Sequence, residues 1–275
     1  MRTTEQSSNY EHLDQMSTNE LLTAMNAEDM TVPMAVAKAI PQIEKVVDTI
    51  VERMRKGGRV FYTGAGTSGR LGVVDASEIP PTYGVVGKFI GIMAGGDYAI
   101  RNAKEGAEDN FEQGYKDVME FDLNANDTVI GITASGGAPY VLGTLQAAKD
   151  VGAFCSSITC NESSAVASAS DIPMVAVVGP EFVTGSTRMK AGTATKLILN
   201  MVSTSVMIRL GHVKGNKMVD MQLTNKKLVD RGTRMIMEQT GISDYDYAKS
   251  LLLEHGQVRA AVDHYMTKKT KPTKK

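Results

Sequence analysis

Arg59-Val60-Phe61-Tyr62-Thr63-Gly64-Ala65-Gly66-Thr67-Ser68-Gly69-Arg70 decides the fold. Val60 to Thr63 are β-branched or aromatic and predict a strand. The run from Gly64 to Gly69 then predicts a tight turn that opens a helix, because glycine accepts backbone angles other residues avoid. Unpaired N–H groups and the positive end of a starting helix favour an anion there. The loop lacks the Gly-Lys-Ser/Thr of a Walker loop and the acidic ribose partner of a dinucleotide site, although Gly64-x-Gly66-x-x-Gly69 matches the bare glycine spacing. Read alone, it fits a phosphate group, a dinucleotide or a purely structural turn.

Working outward, Val36, Ile40, Ile43, Val47, Ile50 and Met54 recur at helical spacing, with Pro33 in an opening turn, Pro41 as a kink or restart, and Gly57-Gly58 as the stop. Further short apolar runs occupy Lys88 to Met93, Thr128 to Thr133, Ala153 to Thr159 and Pro173 to Val178. Runs apolar on both faces and separated by helical stretches suit strands buried between helix layers. The expected fold is therefore α/β, with a doubly wound five-stranded parallel sheet. Thr193 to Leu210 reads as a central buried helix, and more helices are expected over Asn225 to Gln239, Tyr245 to His255 and Gln257 to Met266. This gives an N-terminal helical segment (1–57), a sheet domain (58–212) and a short C-terminal helical module (213–275). The last ends in a basic tail, Lys268 to Lys275, expected to be solvated.

The chain has 275 residues, with 30 Lys and Arg against 31 Asp and Glu, so no net field draws a nucleic acid. No apolar run approaches the ~18 residues of a membrane span. The polar start, Met1 to Gln6, has no apolar run of the secretory kind, and the expected location is the cytoplasm. Cys155 and Cys160 have no companion ligands for zinc and read as buried thiols. His12, His212, His255 and His264 are scattered and read as surface or packing residues. No metal or other cofactor is expected.

A second hydroxyl-rich loop, Thr133-Ala134-Ser135-Gly136-Gly137-Ala138, follows a later strand, and two such loops at the carboxyl ends of parallel strands face one crevice. That pairing favours a small phosphorylated molecule over a dinucleotide, with a plain strand-to-helix turn as the alternative. Thr184 to Thr193 is dense in hydroxyls and cations and reads either as part of an anion cradle or as a helix cap. Glu78, in Asp75-Ala76-Ser77-Glu78-Ile79-Pro80-Pro81-Thr82-Tyr83, and Glu105, Glu108 and Asp109 supply carboxylates. By composition alone these fit solvated helix ends. Two carboxylates in one cleft would instead supply a general acid and a general base.

Read together, Tyr62 to Gly72, Asp75 to Tyr83, Glu105 to Asp109 and Thr184 to Thr193 closely resemble the N-acetylmuramic acid 6-phosphate etherases, over about Thr4 to Gly241. The resemblance implies a sugar isomerase (SIS), flavodoxin-like domain, here a sugar-phosphate-binding domain over 58–212, in a homodimer. It implies a lyase that takes N-acetylmuramic acid 6-phosphate and water to N-acetylglucosamine 6-phosphate and D-lactate, in the amino-sugar metabolism of cell-wall recycling. It makes Glu78 and Glu108 the catalytic pair and assigns Thr67, Ser68 and Ser135 to the substrate loops. Gly66, Gly136, Ser186 and Lys190 complete the expected binding set. Gly137-Ala138 departs from the family's usual Arg-Thr and Asn161-Glu162 from Asn-Pro, and the C-terminal module reads as shortened. The rival readings are an aldose–ketose isomerase and a non-catalytic sensor resembling the glucokinase regulator, whose usual form has a second SIS domain.

Overall fold

The computed structural model describes residues 3–270. Three helices lead in: α1 (Thr18–Asp29), α2 (Val32–Ala37) and α3 (Ile40–Arg55). The chain then runs β1 (Val60–Gly64), α4 (Gly66–Ser77), α5 (Ile79–Tyr83), β2 (Phe89–Met93), α6 (Gly96–Arg101), α7 (Phe111–Met119), β3 (Thr128–Ile132), α8 (Pro139–Asp150), β4 (Phe154–Thr159), α9 (Ala165–Ser168), β5 (Ile172–Val175) and α10 (Lys190–Arg209). A hairpin of β6 (Val213–Lys214) and β7 (Lys217–Met218) precedes α11 (Lys226–Thr240), α12 (Tyr245–His255) and α13 (Val258–Thr270). The contacts divide the chain into two compact units: Met1–Ser77 with Gly87–Val206, and Glu78–Val86 with the residues from Met207 on.

The first unit holds a five-stranded parallel sheet in the order β2-β1-β3-β4-β5. This is the flavodoxin-like order of doubly wound folds, whose crevice opens where the strand order reverses. All five strands expected from the sequence are present, the last ending at Val175 rather than Val178. Val60, Phe61 and Tyr62 on β1, and Val129, Ile130 and Ile132 on β3, are fully buried or nearly so. Each such side chain contributes about 1.5–3 kcal/mol by leaving water. Pro41 restarts rather than kinks the leading helix: it lies in the first turn of α3, where its missing N–H costs nothing. Ile40, counted with the apolar stripe, points outward at 49 % exposure.

Asp127 pins the bottom of the sheet. Its carboxylate, without exposure, accepts from Arg59 N at 2.8 Å, Arg59 Nη2 at 2.7 Å, and Asn124 N and Nδ2 at 3.1 and 2.9 Å. The entry into β1 and the turn before β3 are thereby fixed by one charge.

α10, read from the sequence as a central buried helix, is buried on one side and exposed on the other. Ala194, Ile198, Val202 and Val206 are buried, whereas Lys196, Asn200, Met201, Thr204 and Ile208 form an exposed stripe. Its buried side carries Ser203, whose hydroxyl donates with Asn200 Nδ2 to Asp75 Oδ1 on α4, at 3.2 and 2.9 Å. Burial holds the Asp75 carboxyl above its ordinary pKa, against these hydrogen bonds. Burial, helped by the Asp75 charge, raises the neighbouring Tyr62 phenol well above its own.

In the second unit, Ile236, Leu252, Val258 and Ala261 pack α11, α12 and α13 together. Asn225 and Asp244 cap α11 and α12, and Gly241 and Gly256 end them in the left-handed region, as the sequence suggests. The Asp220 carboxylate takes two hydrogen bonds from Arg259, both 2.9 Å, and contacts His212 Nδ1 at 3.2 Å. Beyond residue 270 the expected basic tail lies outside the described residues.

Candidate active site

The glycine loop leaves β1 so tightly that the first turn of α4 sits on the strand end. A Cβ at Gly69 would lie 2.5 Å from Gly64 O, and one at Gly64 would lie 2.8 Å from Gly69 N. No larger residue fits at either position without moving backbone. The second loop is built similarly after β3. Gly136 holds φ +74° and its Cα faces Ser164, whose Cβ would lie 2.2 Å from an added Cβ. Asn161, at the end of β4, braces this loop by donating from Nδ2 to Ala134 O at 2.9 Å. Thr3 in turn donates its N–H to Asn161 Oδ1 at 2.6 Å.

Both loops open onto a cavity of about 130 Å³ whose polar wall consists of Thr67, Ser68, Thr133, Ser135, Thr187 and Glu108. Ala138 also lines it, buried at 2 % exposure, and brings no hydroxyl or charge to the wall. Glu108 is the one charged group on this wall among the described residues. What the cavity offers an anion is hydroxyls and the N-terminal ends of α4 and α8, which carry partial positive charge. A second cavity of about 260 Å³ shares Gly66 and Glu108 with the first and is bounded by Arg70, Lys104 and the 102–109 segment. Glu108 sits on an exposed 3-10 turn, Ala107–Asp109, entered through Gly106 at φ +71°.

The structure brings Gly66, Thr67, Ser68, Ser135 and Glu108 to the smaller cavity, but not every residue expected of it. Gly136 is buried behind the second loop, and Ser186 precedes Thr187 without lining the cavity. Lys190 is 2 % exposed and its ammonium is engaged by the Glu28 carboxylate of α1. Glu181, 1 % exposed, caps α10 by accepting from Lys190 N at 2.9 Å and Ala191 N at 3.0 Å. Thr133, Thr187, Asn161, Glu28 and Glu181 lie outside the binding set read from the sequence. Thr133 and Thr187 stood inside the quoted hydroxyl segments, whereas nothing near Glu28 marks it as a partner for a residue 162 positions away.

Glu78 belongs to the second unit, as the exposed residue that precedes α5. Behind it Gly84 ends the short helix at φ +69°, against the Asp220 carbonyl. Cys155 and Cys160 are free and buried, and burial pushes both thiols up to about 12.

The sheet order and paired strand-end loops define a doubly wound α/β protein with a crevice at the strand ends. A family model described as the glucokinase regulatory protein N-terminal SIS domain matches residues 42–149. A phosphoheptose isomerase from Francisella tularensis shares the fold with a TM-score of 0.53 and 15 % identity, covering 70 % of this chain and 100 % of that one. An N-acetylmuramic acid 6-phosphate etherase from Bacteroides fragilis is 58 % identical over 266 residues, 96 % of this chain and 94 % of its own length. One from Porphyromonas gingivalis is 55 % identical over 273 residues, 99 % and 98 % of the two chains. The chain belongs to the N-acetylmuramic acid 6-phosphate etherase family.

Proposed function

We propose that this chain cleaves the D-lactyl ether of N-acetylmuramic acid 6-phosphate, consuming one water and giving N-acetylglucosamine 6-phosphate and D-lactate. The observation that carries the reading is the position of Glu108 on the wall of the cavity formed by the Thr67-Ser68 and Thr133-Ser135 loops, in a chain of this family. The hydroxyls and helix ends hold the phosphate end of the sugar, and the carboxylate supplies proton transfer.

An ether resists direct hydrolysis, but the open-chain sugar carries an aldehyde at C1 that acidifies the proton on C2. Glu108 removes that proton. The lactyl oxygen leaves C3 as it takes a proton from Glu78, whose role rests on the motif in which it stands. Water then adds at C3 of the unsaturated aldehyde and C2 regains a proton, so atoms and charge balance. The protein acts as a homodimer in the cytoplasm, needs no cofactor and takes no nucleic acid or membrane as partner. No helix among the described residues is long and apolar enough to cross a membrane.

The division of labour is tested by C2 proton exchange in deuterated water. Glu108→Gln abolishes exchange, and Glu78→Gln keeps it while losing lactate release. Exchange lost in Glu78→Gln and kept in Glu108→Gln would reverse the assignment.

A further inference from the structure

Arg70 lies four residues into the helix that opens at the glycine loop, and the sequence alone leaves open whether it touches the phosphate. Its hydrogen bonds go elsewhere. Nη2 donates to Ala99 O at 2.9 Å and to Asn102 O at 3.3 Å, and Nε donates to Ile100 O at 2.9 Å. These are the carbonyls that α6 leaves open at its C-terminus, where a guanidinium satisfies acceptors and complements the helix end. They also begin the segment that continues through Gly106 to Glu108.

Within that segment the backbone holds itself weakly: Ala107 N reaches Lys104 O at 3.5 Å and Asp109 N reaches Gly106 O at 3.2 Å. Residues 102–106 are exposed, and Ala107 alone packs against the core. Among the described residues, Arg70 supplies the side-chain hydrogen bonds that reach 99–109 from outside it. The same helix carries Gly66, Thr67 and Ser68 on the cavity wall. The loop that holds the substrate and the loop that carries Glu108 are thus joined through one guanidinium.

We infer that Arg70 is a positioning residue for the reaction: it sets the reach of Glu108 over the bound sugar and does not itself bind phosphate. The inference rests on the etherase reading. A displacement on the order of 1 Å between a catalytic group and its target costs about 100-fold in rate. A lysine in its place offers one ammonium where the fork serves carbonyls in three directions.

The test compares wild type with Arg70→Lys and Arg70→Ala, measuring lactate release from N-acetylmuramic acid 6-phosphate and amide hydrogen exchange. In Arg70→Lys, kcat falls about 10- to 100-fold while KM stays within about threefold, the scale expected of a misplaced base above an intact cradle. Exchange at amides 103–109 accelerates, that at 66–68 does not, and added guanidinium ion restores part of the turnover of Arg70→Ala. A raised KM with unchanged kcat would make Arg70 a phosphate ligand and overturn the inference, as would unchanged kinetics. If wild type itself releases no lactate, the etherase reading fails, and unaltered exchange at 103–109 would then separately refute the anchor. Should Arg70→Ala not fold, Arg70→Lys decides through its kcat and KM and its exchange at 103–109.

Discussion

Glu108 is exposed and is the one charged group on the wall of the smaller cavity among the described residues, so its replacement removes chemistry rather than packing. Glu108→Gln lowers lactate release by about 10²- to 10⁴-fold, the worth of one positioned proton transfer. The thermal unfolding midpoint stays at the wild-type value, because the side chain is exposed. Assay and thermal melt on the same preparation check this. Asp75 behaves oppositely, being buried and outside the proposed chemistry. Burial raises its folded-state pKa above the unfolded value, so the native state holds the proton more tightly. Stability therefore falls as pH rises from about 4 through the folded-state pKa. Asp75→Asn keeps an acceptor for Asn200 and Ser203 and loses this slope, which urea titrations at several pH values measure. A steeper slope in the variant would overturn the account. Residues are also where the sequence misleads most. Lys190 was expected to bind substrate beside a hydroxyl-rich loop, yet it is committed to Glu28, while Arg70, whose role the sequence left open, is committed to the end of α6. Long-range partners leave no local pattern, so neither pairing was legible.

At the scale of elements, the strands were legible as short β-branched or apolar runs between helical stretches, the pattern of a doubly covered sheet, although β4 also buries Ser156, Ser157 and Thr159. The β6–β7 hairpin was not, since two residues per strand carry no periodicity. α10 was read as a central buried helix, but Lys196, Asn200 and Thr204 fall on an exposed stripe with Met201 and Ile208, while Thr195 and Ser203 lie on its buried side. Its cap was invisible, because Glu181 stands nine residues before the N–H it serves. Glu181→Ala leaves buried donors at Lys190 and Ala191 unmet, at about 1–3 kcal/mol each. A loss of more than about 1 kcal/mol in urea unfolding is expected, with a raised KM because Thr187 sits just ahead of α10. Unchanged stability would mean that the cap contributes nothing.

For the whole molecule, the two glycine- and hydroxyl-rich loops after strands of a parallel α/β fold pointed to one shared crevice, and both line a cavity of about 130 Å³. What the crevice binds was left open between a phosphorylated molecule and plain strand-to-helix turns. The reaction was not legible in composition or spacing. It came from the blocks around Glu78 and Glu108, which resemble one family, and relatives 58 % and 55 % identical carry that family's name. The measurement that tests the account most directly is D-lactate release by the purified full chain from N-acetylmuramic acid 6-phosphate. D-lactate and N-acetylglucosamine 6-phosphate are expected in equal amounts, with one solvent oxygen incorporated into the sugar. Tight binding of the sugar phosphate without any lactate would contradict it and make the protein a sensor.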